Sequence, residues 1–237
     1  MDLVARFENV RQRISRACTR VNRDTSEVTL VAVSKGQTPS VVTEAAGAGQ
    51  LLFGENKVQE ARAKIPACPE RLTWHLIGHL QTNKVREAVR WFAMLHSVDG
   101  LGLAEEIQKQ AEKAAKSVPI LLEVNVAGEA SKFGYHPTRL LAELSALNAL
   151  PRLEIHGLMT LAPWTPDPER ARPIFRRVRE LKQECEQILG APLAHLSMGM
   201  SGDFEVAIEE GATLVRVGTA LFGERRNPPP DAAPPAR

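Results

Sequence analysis

Residues 193–223, LAHLSMGMSGDFEVAIEEGATLVRVGTALFG, hold two short apolar runs separated by a glycine-rich loop and a helical pattern. The runs at 193–197 and 213–217 read as buried strands, and 202–210 places apolar side chains at helical spacing. Strand, helix and strand in so few residues make a βα unit that feeds a parallel neighbour. Outward from this stretch the rhythm recurs. Val28 to Val33 (VTLVAV), 51–53 (LLF), 73–77 (TWHLI), 94–98 (MLHSV), 119–126 (PILLEVNV) and 153–158 (LEIHGL) read as strands. Helical patterns lie near 39–48, 56–64, 83–91, 100–116, 137–148 and 168–188.

Eight strands spaced about 26 residues apart are the count that closes a (β/α)₈ TIM barrel. A doubly wound open sheet shares the alternation, and periodicity alone does not show closure. Ahead of the first strand, Leu3, Phe7, Val10, Ile14, Cys18 and Val21 fall at three- and four-residue steps, an extra N-terminal helix with one apolar stripe. That helix is expected to supply the outer-ring helix missing after the eighth strand. The expected organisation is one α/β barrel over 1–223, then 224–237, ERRNPPPDAAPPAR. Five of the 16 prolines crowd into that tail, which is expected to be disordered.

Composition excludes several classes. Apolar residues at 43% and charged residues at 24% match ordinary globular chains, not disordered or disulfide-framework ones. Thirty Lys plus Arg against 28 Asp plus Glu leave +2, too balanced for a dedicated nucleic-acid binder. The charged stretch ERARPIFRRVREL (169–181) reads as an outer helix face, without the aromatic interleaving that suits RNA. No apolar run is long enough to span a bilayer, and MDLVARFENVRQR lacks the core of a secretory signal. Cys18, Cys68 and Cys185 lie far apart with no CxxC, which suggests free thiols and excludes a zinc knuckle. A cytoplasmic protein with neither nucleic-acid nor membrane partner is the expectation.

Barrels carry their chemistry at the C-terminal ends of the strands. Those ends read Ser34-Lys35, Glu55-Asn56, His75 to His79, Asn125, His156 to Thr160, Ser197 to Ser201, and Arg216 to Thr219. An amine at an apolar mouth, such as Lys35, is desolvated toward the neutral nucleophile that forms Schiff bases with aldehydes. A solvated lysine leaving a strand end fits the spacing equally well. Ser201, among glycines, reads as an N-cap beside helix N–H groups, and Gly218-Thr219 offers further donors. The loops after strands seven and eight are the usual phosphate site of this architecture, although tight capped turns have the same composition.

A rim amine opposite a phosphate cradle suits a phosphorylated aldehyde, and pyridoxal 5′-phosphate is the cofactor of that description. Arg216 would then meet the pyridine nitrogen, keep it unprotonated and weaken the ring as an electron sink. An ion pair of Arg216 with Glu209 or Glu210 is the competing reading. Glu55 and Asn56 either approach the cofactor or cap the next helix. His75 and His79, four apart but in a strand and a glycine turn, are weak metal ligands, and no metal is expected. His156 and His195 read as core or rim residues. Lys132 reads as a solvated loop lysine, with exchange of the aldehyde as its alternative role.

Six motifs carry a resemblance over nearly the whole chain to Gly223. They are VAVSK (31–35), FGENKVQE (53–60), WHLIGHLQTNK (74–84), EVNVAGEASKFG (123–134), HGLMTLAP (156–163) and residues 196–223. The chain resembles the pyridoxal phosphate homeostasis protein family. The resemblance implies an alanine-racemase-like barrel, that of the racemase N-terminal domain, with the cofactor held as an aldimine. It implies Lys35 as the cofactor lysine, Ser201, Gly218 and Thr219 as phosphate contacts, Arg216 at the pyridine nitrogen and Asn56 beside the ring. Gly36 stands where the family often has Thr, and Lys57 where it often has Tyr; neither touches the cradle.

The resemblance also implies a carrier or regulator in vitamin B6 and amino-acid homeostasis, serving apo-enzymes that need the cofactor, without established turnover. No catalytic residue is assigned. An amino-acid racemase is the alternative. Racemases of this fold add a second domain that contributes a tyrosine, whereas here a proline-rich stretch follows the barrel and Tyr135 is the sole tyrosine. A class I aldolase also places a Schiff-base lysine in a barrel. A barrel without a lid leaves the cofactor's outer face open, which suits transfer better than sequestered catalysis.

Overall fold

In the computed structural model, which describes residues 2–129 and 132–223, eight parallel strands close into a barrel in sequence order. They are β1 (Thr29–Val33), β2 (Leu52–Glu55), β3 (Thr73–Leu76), β4 (Met94–Val98), β5 (Val118–Glu123), β6 (Leu153–Met159), β7 (His195–Ser197) and β8 (Leu214–Val217). Pairing of β8 with β1, from Thr29 beside Leu214 to Ala32 beside Val217, closes the ring and excludes the open sheet. The crossovers are α2 (Pro39–Gly47), α3 (Val58–Lys64), α4 (Val85–Trp91), α5 (Leu101–Lys113), α6 (Pro137–Asn148), α7 (Arg172–Leu189) and α8 (Phe204–Glu209).

A four-residue helix, α9 (Thr219–Phe222), follows β8, and the N-terminal helix α1 (Leu3–Arg20) fills the outer ring beside it. Phe7 of α1 meets Phe222 edge-on at 5.9 Å, Arg13 binds Glu205 at 2.7 Å and Arg20 binds Glu209 at 2.6 Å. Asp2 caps α1 by accepting from the Ala5 N–H.

Pairing moves several boundaries away from the apolar runs. β2 continues through Gly54 and Glu55, poor strand formers, because the ladder extends to His75 and Leu76 of β3. β5 stops at Glu123, and Val124 instead bridges Tyr135. The pattern at 168–188 divides into a 3₁₀ turn, Pro168–Ala171, and α7, which has a proline in its first turn. Residues 224–237, the expected disordered tail, lie outside the described residues.

Strand alternation separates two cores. The larger lies between strands and helices; Val31, Val33, Ile77, Met94, Leu121, Met159 and Leu214 form a smaller plug inside the barrel. At the same parity, β3 contributes His75, β4 His96, β7 Ser197 and β8 Arg216, all buried. Among the described residues no helix is long and apolar enough to cross a membrane. The three cysteines are free thiols.

Outside the wall, a buried ion pair fixes the end of β1. Lys64 Nζ donates to Glu55 Oε1 at 2.6 Å, to the Ser34 carbonyl at 2.7 Å and to Glu60 Oε1 at 2.8 Å. Ser34 Oγ donates to Glu55 at 2.7 Å, and the Gly36 N–H donates to Glu60. Residues 34 and 36, on either side of Lys35, are therefore both tied to this cluster. Gly36 has φ +74, a left-handed conformation in which a β-branched side chain would be strained. Replacing Lys64 with Met leaves Glu55 buried without its cation, an expected loss of about 3–5 kcal/mol in urea unfolding; a loss under about 1 kcal/mol shows that the pair behaves like a solvated one.

Candidate functional site

Lys35 stands in the turn just after β1 and Asn56 just after β2. Ser201 lies in the loop after β7, Arg216 inside β8, and Gly218 and Thr219 beyond its end. All six line one cavity of about 840 Å³ at the C-terminal rim, together with Val33, Ile77 and Glu123. A pocket of this size suits a small organic ligand.

Arg216 makes the floor. Its Nη1 donates to Ser197 Oγ at 2.6 Å and its Nη2 to the Thr160 carbonyl at 2.8 Å. The expected alternative, an ion pair with Glu209 or Glu210, does not form. Those carboxylates lie on the outer side of the barrel wall, where Arg20 and Arg172 bind Glu209, and Arg172, Arg176 and Arg179 bind Glu210. Strand parity is the reason, because Arg216 shares the inward face of Leu214. Burial lowers its pKa to about 10, opposed by Glu123 and Asp203, so it remains a cation at neutral pH.

Ser201 departs from its expected local role. Asp203, not Ser201, is the N-cap of α8, and Asp203 Oδ1 accepts from the Met200 N–H at 2.6 Å. Ser201 Oγ instead reaches across to the loop after β8, accepting from the Gly218 and Ala220 N–H groups at 3.2 Å each. The two glycine-rich loops are thus joined by one hydroxyl, which brings Ser201, Gly218 and Thr219 to one wall.

Asn56 Oδ1 is buried with no hydrogen-bond partner among the described residues. An unpaired buried acceptor costs about 1–3 kcal/mol, which a bound donor would recover. Gly78 sets the position of this residue: a Cβ there would stand 2.3 Å from the Asn56 carbonyl oxygen. Glu55 takes neither expected role, since it faces Lys64 and Ser34, and the N-cap of α3 is Lys57.

The remaining candidates disperse. His75 Nδ1 lies 3.0 Å from His96 Nε2, whereas His79 stacks on Phe133 at 3.7 Å and lies 3.4 Å from Asp99. His156 is 3.3 Å from Glu154, and His195 is 3.3 Å from Thr213 Oγ1. Asn125 braces its own loop, accepting from Gly128 and donating to the Glu129 carbonyl, and Lys132 pairs with Glu129 at 2.9 Å. Among the described residues no group of three His, Cys, Asp or Glu could hold a metal ion.

Sequence reasoning missed Glu123, His96, Phe133 and Trp164. Glu123 is a buried carboxylate lining the cavity, and burial with help from Asp99 pushes its pKa up to about 7 against the pull of Arg216. A Glu in PILLEVNV and a His in MLHSV, polar residues inside buried strands, were the available signals. Trp164 (86% exposed) and Phe133 (56% exposed) stand at the cavity mouth.

Glu123 keeps its proton in the fold to about pH 7, against 4.5 for an ordinary glutamate. Between those values the folded chain binds more protons than the unfolded one, so this group's contribution to stability falls as pH rises. Glu123→Gln is expected to be more stable than the wild type at pH 8, by up to about 3 kcal/mol, and equal to it near pH 4. Urea unfolding at both pH values checks this, and a variant less stable at pH 8 contradicts it.

The profile of the alanine racemase N-terminal domain matches residues 6–226. The pyridoxal phosphate homeostasis protein of Aquifex aeolicus is 45% identical over 227 residues, covering 95% of this chain and 100% of that protein. Its namesake in Pseudomonas aeruginosa is 43% identical over 219 residues, covering 91% of this chain and 93% of that protein. Among solved structures, PipY of Synechococcus elongatus, determined with PLP bound, is 38% identical with a TM-score of 0.83, covering 94% of this chain and 100% of that one. With the closed barrel and its rim cavity, these matches place the chain in the pyridoxal phosphate homeostasis protein family, built on the alanine racemase N-terminal barrel.

Proposed function

We propose that this protein binds pyridoxal 5′-phosphate in the rim cavity, holds it on Lys35 and serves B6 homeostasis as a carrier or regulator. One observation carries the reading: six residues from four separate strand ends, Lys35, Asn56, Ser201, Arg216, Gly218 and Thr219, line a single cavity. The residues fit the group. The orphaned Asn56 Oδ1 awaits a donor, and Arg216 suits a ring nitrogen. Ser201 Oγ already accepts from the Gly218 and Ala220 N–H groups, so its own hydrogen is left to donate to a phosphate beside Gly218 and Thr219.

Lys35 would hold the cofactor covalently. Its amine would be the nucleophile toward the aldehyde, with a C=N bond replacing C=O and water as the leaving group. Arg216 can only donate, so a nitrogen resting on it accepts a hydrogen bond and stays unprotonated. The cofactor supplies an electrophilic aldehyde and a conjugated electron sink, and the arginine weakens the sink.

The carrier reading rests on further support. The curated relatives are named homeostasis proteins. The sole tyrosine, Tyr135, is 1% exposed, lies outside the cavity lining and has its phenol pushed upward by burial, poorly placed as a second base. Trp164, exposed at the cavity mouth among the described residues, offers an apo-enzyme a contact beside a bound cofactor.

Titration of the purified protein with pyridoxal phosphate is expected to produce a visible absorbance band that borohydride removes, with the reduced adduct mapped to Lys35. Lys35→Ala is expected to lose the band and keep the circular dichroism of the wild type. An unlabelled Lys35, or a band that survives Lys35→Ala, overturns the assignment. Incubation of the loaded protein with L-alanine in deuterium oxide decides between carrier and racemase. No α-deuteration is expected, and rapid deuteration with D-alanine formation establishes the enzyme instead.

A further inference from the structure

Beneath Arg216 the barrel interior carries an unbroken file of polar side chains from three other strands. Arg216 Nη1 is 2.6 Å from Ser197 Oγ, Ser197 Oγ is 2.9 Å from His96 Nδ1, and His96 Nε2 is 3.0 Å from His75 Nδ1. Each of the four residues is at most 8% exposed. Their neighbours in the plug are Val, Ile, Leu and Met. Two imidazoles in such surroundings carry a desolvation cost that packing alone does not require.

We propose that His96 and His75 are positioning residues for Arg216, a hydrogen-bonded strut that holds Ser197 as an acceptor and so fixes the guanidinium facing the cofactor nitrogen. The proposal rests on the reading of Arg216 given under Proposed function.

Donor and acceptor bookkeeping gives the strut a direction. A guanidinium only donates, so Ser197 Oγ accepts from Arg216. In this strut the single hydrogen of the hydroxyl goes to His96 Nδ1, the ring nitrogen 2.9 Å away. With His96 neutral and Nδ1 accepting, Nε2 carries the hydrogen and donates it to His75 Nδ1. The sequence Arg216 to Ser197 to His96 to His75 runs one way, and each bond polarises the next in the same sense.

A relay with one donor and one acceptor per ring needs neutral histidines. Burial holds His96 well below its usual range and His75 at about 4, with Arg216 adding to the effect on His96. Remove the His96 ring and the Ser197 hydrogen loses its acceptor. The hydroxyl is then free to rotate, and the Thr160 carbonyl is left as the firm acceptor of the guanidinium. Arg216 would still be present and charged, but no longer aimed.

The test compares the wild type with His96→Leu and His96→Gln as purified full-length proteins. Leu removes the relay at similar bulk; Gln keeps one donor and one acceptor. Circular dichroism checks the fold, and pyridoxal phosphate titration reads both the dissociation constant and the visible spectrum. Expected for Leu are about a tenfold weaker dissociation constant and a displaced visible band, with Gln restoring both toward wild type. A Leu variant with wild-type affinity and spectrum overturns the proposal, as does a Gln variant impaired to the same degree as Leu.

Nitrogen-15 NMR of histidine-labelled wild-type protein without cofactor keeps the idea testable should the Leu variant fail to fold. Nδ1 of His96 is expected to be unprotonated and Nε2 protonated at pH 7; the opposite tautomer or a doubly protonated ring sinks the strut. A wild type that binds no pyridoxal phosphate defeats the functional reading by itself and leaves the tautomer to decide the strut.

Discussion

Closure of the ladder between β8 and β1 is the constraint on which the rest of the molecule depends. Parallel strands all end at the same rim, and in a ring the first end and the last become neighbours. Lys35 leaves β1 and Gly218 leaves β8, positions far apart in the chain and side by side in space. Gly218 lies so near β1 that a Cβ would stand 3.4 Å from Val33 Cβ and 3.5 Å from its carbonyl oxygen. The helices serve this geometry from outside, with α1 occupying the place in the outer ring that four-residue α9 leaves open.

Two buried cations then act on the site from opposite sides of the wall. Lys64, outside, ties down the carbonyl of Ser34 and, through Glu60, the N–H of Gly36. Arg216, inside, rests on Thr160 and Ser197 with the apolar plug around it. Charges in such places are costly unless their hydrogen bonds are complete, and both cations have short, specific acceptors. The apolar surroundings also keep water from competing for those donors, so the floor of the cavity presents a fixed positive charge. Glu123 pays part of that arrangement, since burial holds its carboxyl partly protonated at neutral pH.

The strands were legible because aliphatic runs between turn residues have few other uses, and their count was legible because each run recurred at a steady spacing. The gathering of Lys35, Asn56, Ser201, Arg216, Gly218 and Thr219 at one rim was legible because they follow or end those runs, and the long ordered motifs pointed to the family. What local reasoning misjudged were partners. Ser201 stands where a helix cap is expected, yet its hydroxyl is taken by the loop after β8. Glu55 stands at the rim, yet Lys64 draws it outward. His96, in the middle of an apolar run, has nothing beside it in the chain that marks it, because its partners Ser197 and His75 come from other strands.

Sequence alone therefore determined the elements, their order, the class of fold and the residue types gathered at the strand ends, because periodicity and composition are properties of neighbours in the chain. Tertiary structure alone decided closure, the inward face of Arg216, the joining of two loops by Ser201 and the polar file beneath the cavity. Each of these depends on which residues of distant strands share a face and a height in the barrel. That is set by register and parity across the ladder, and a one-dimensional pattern carries no record of register.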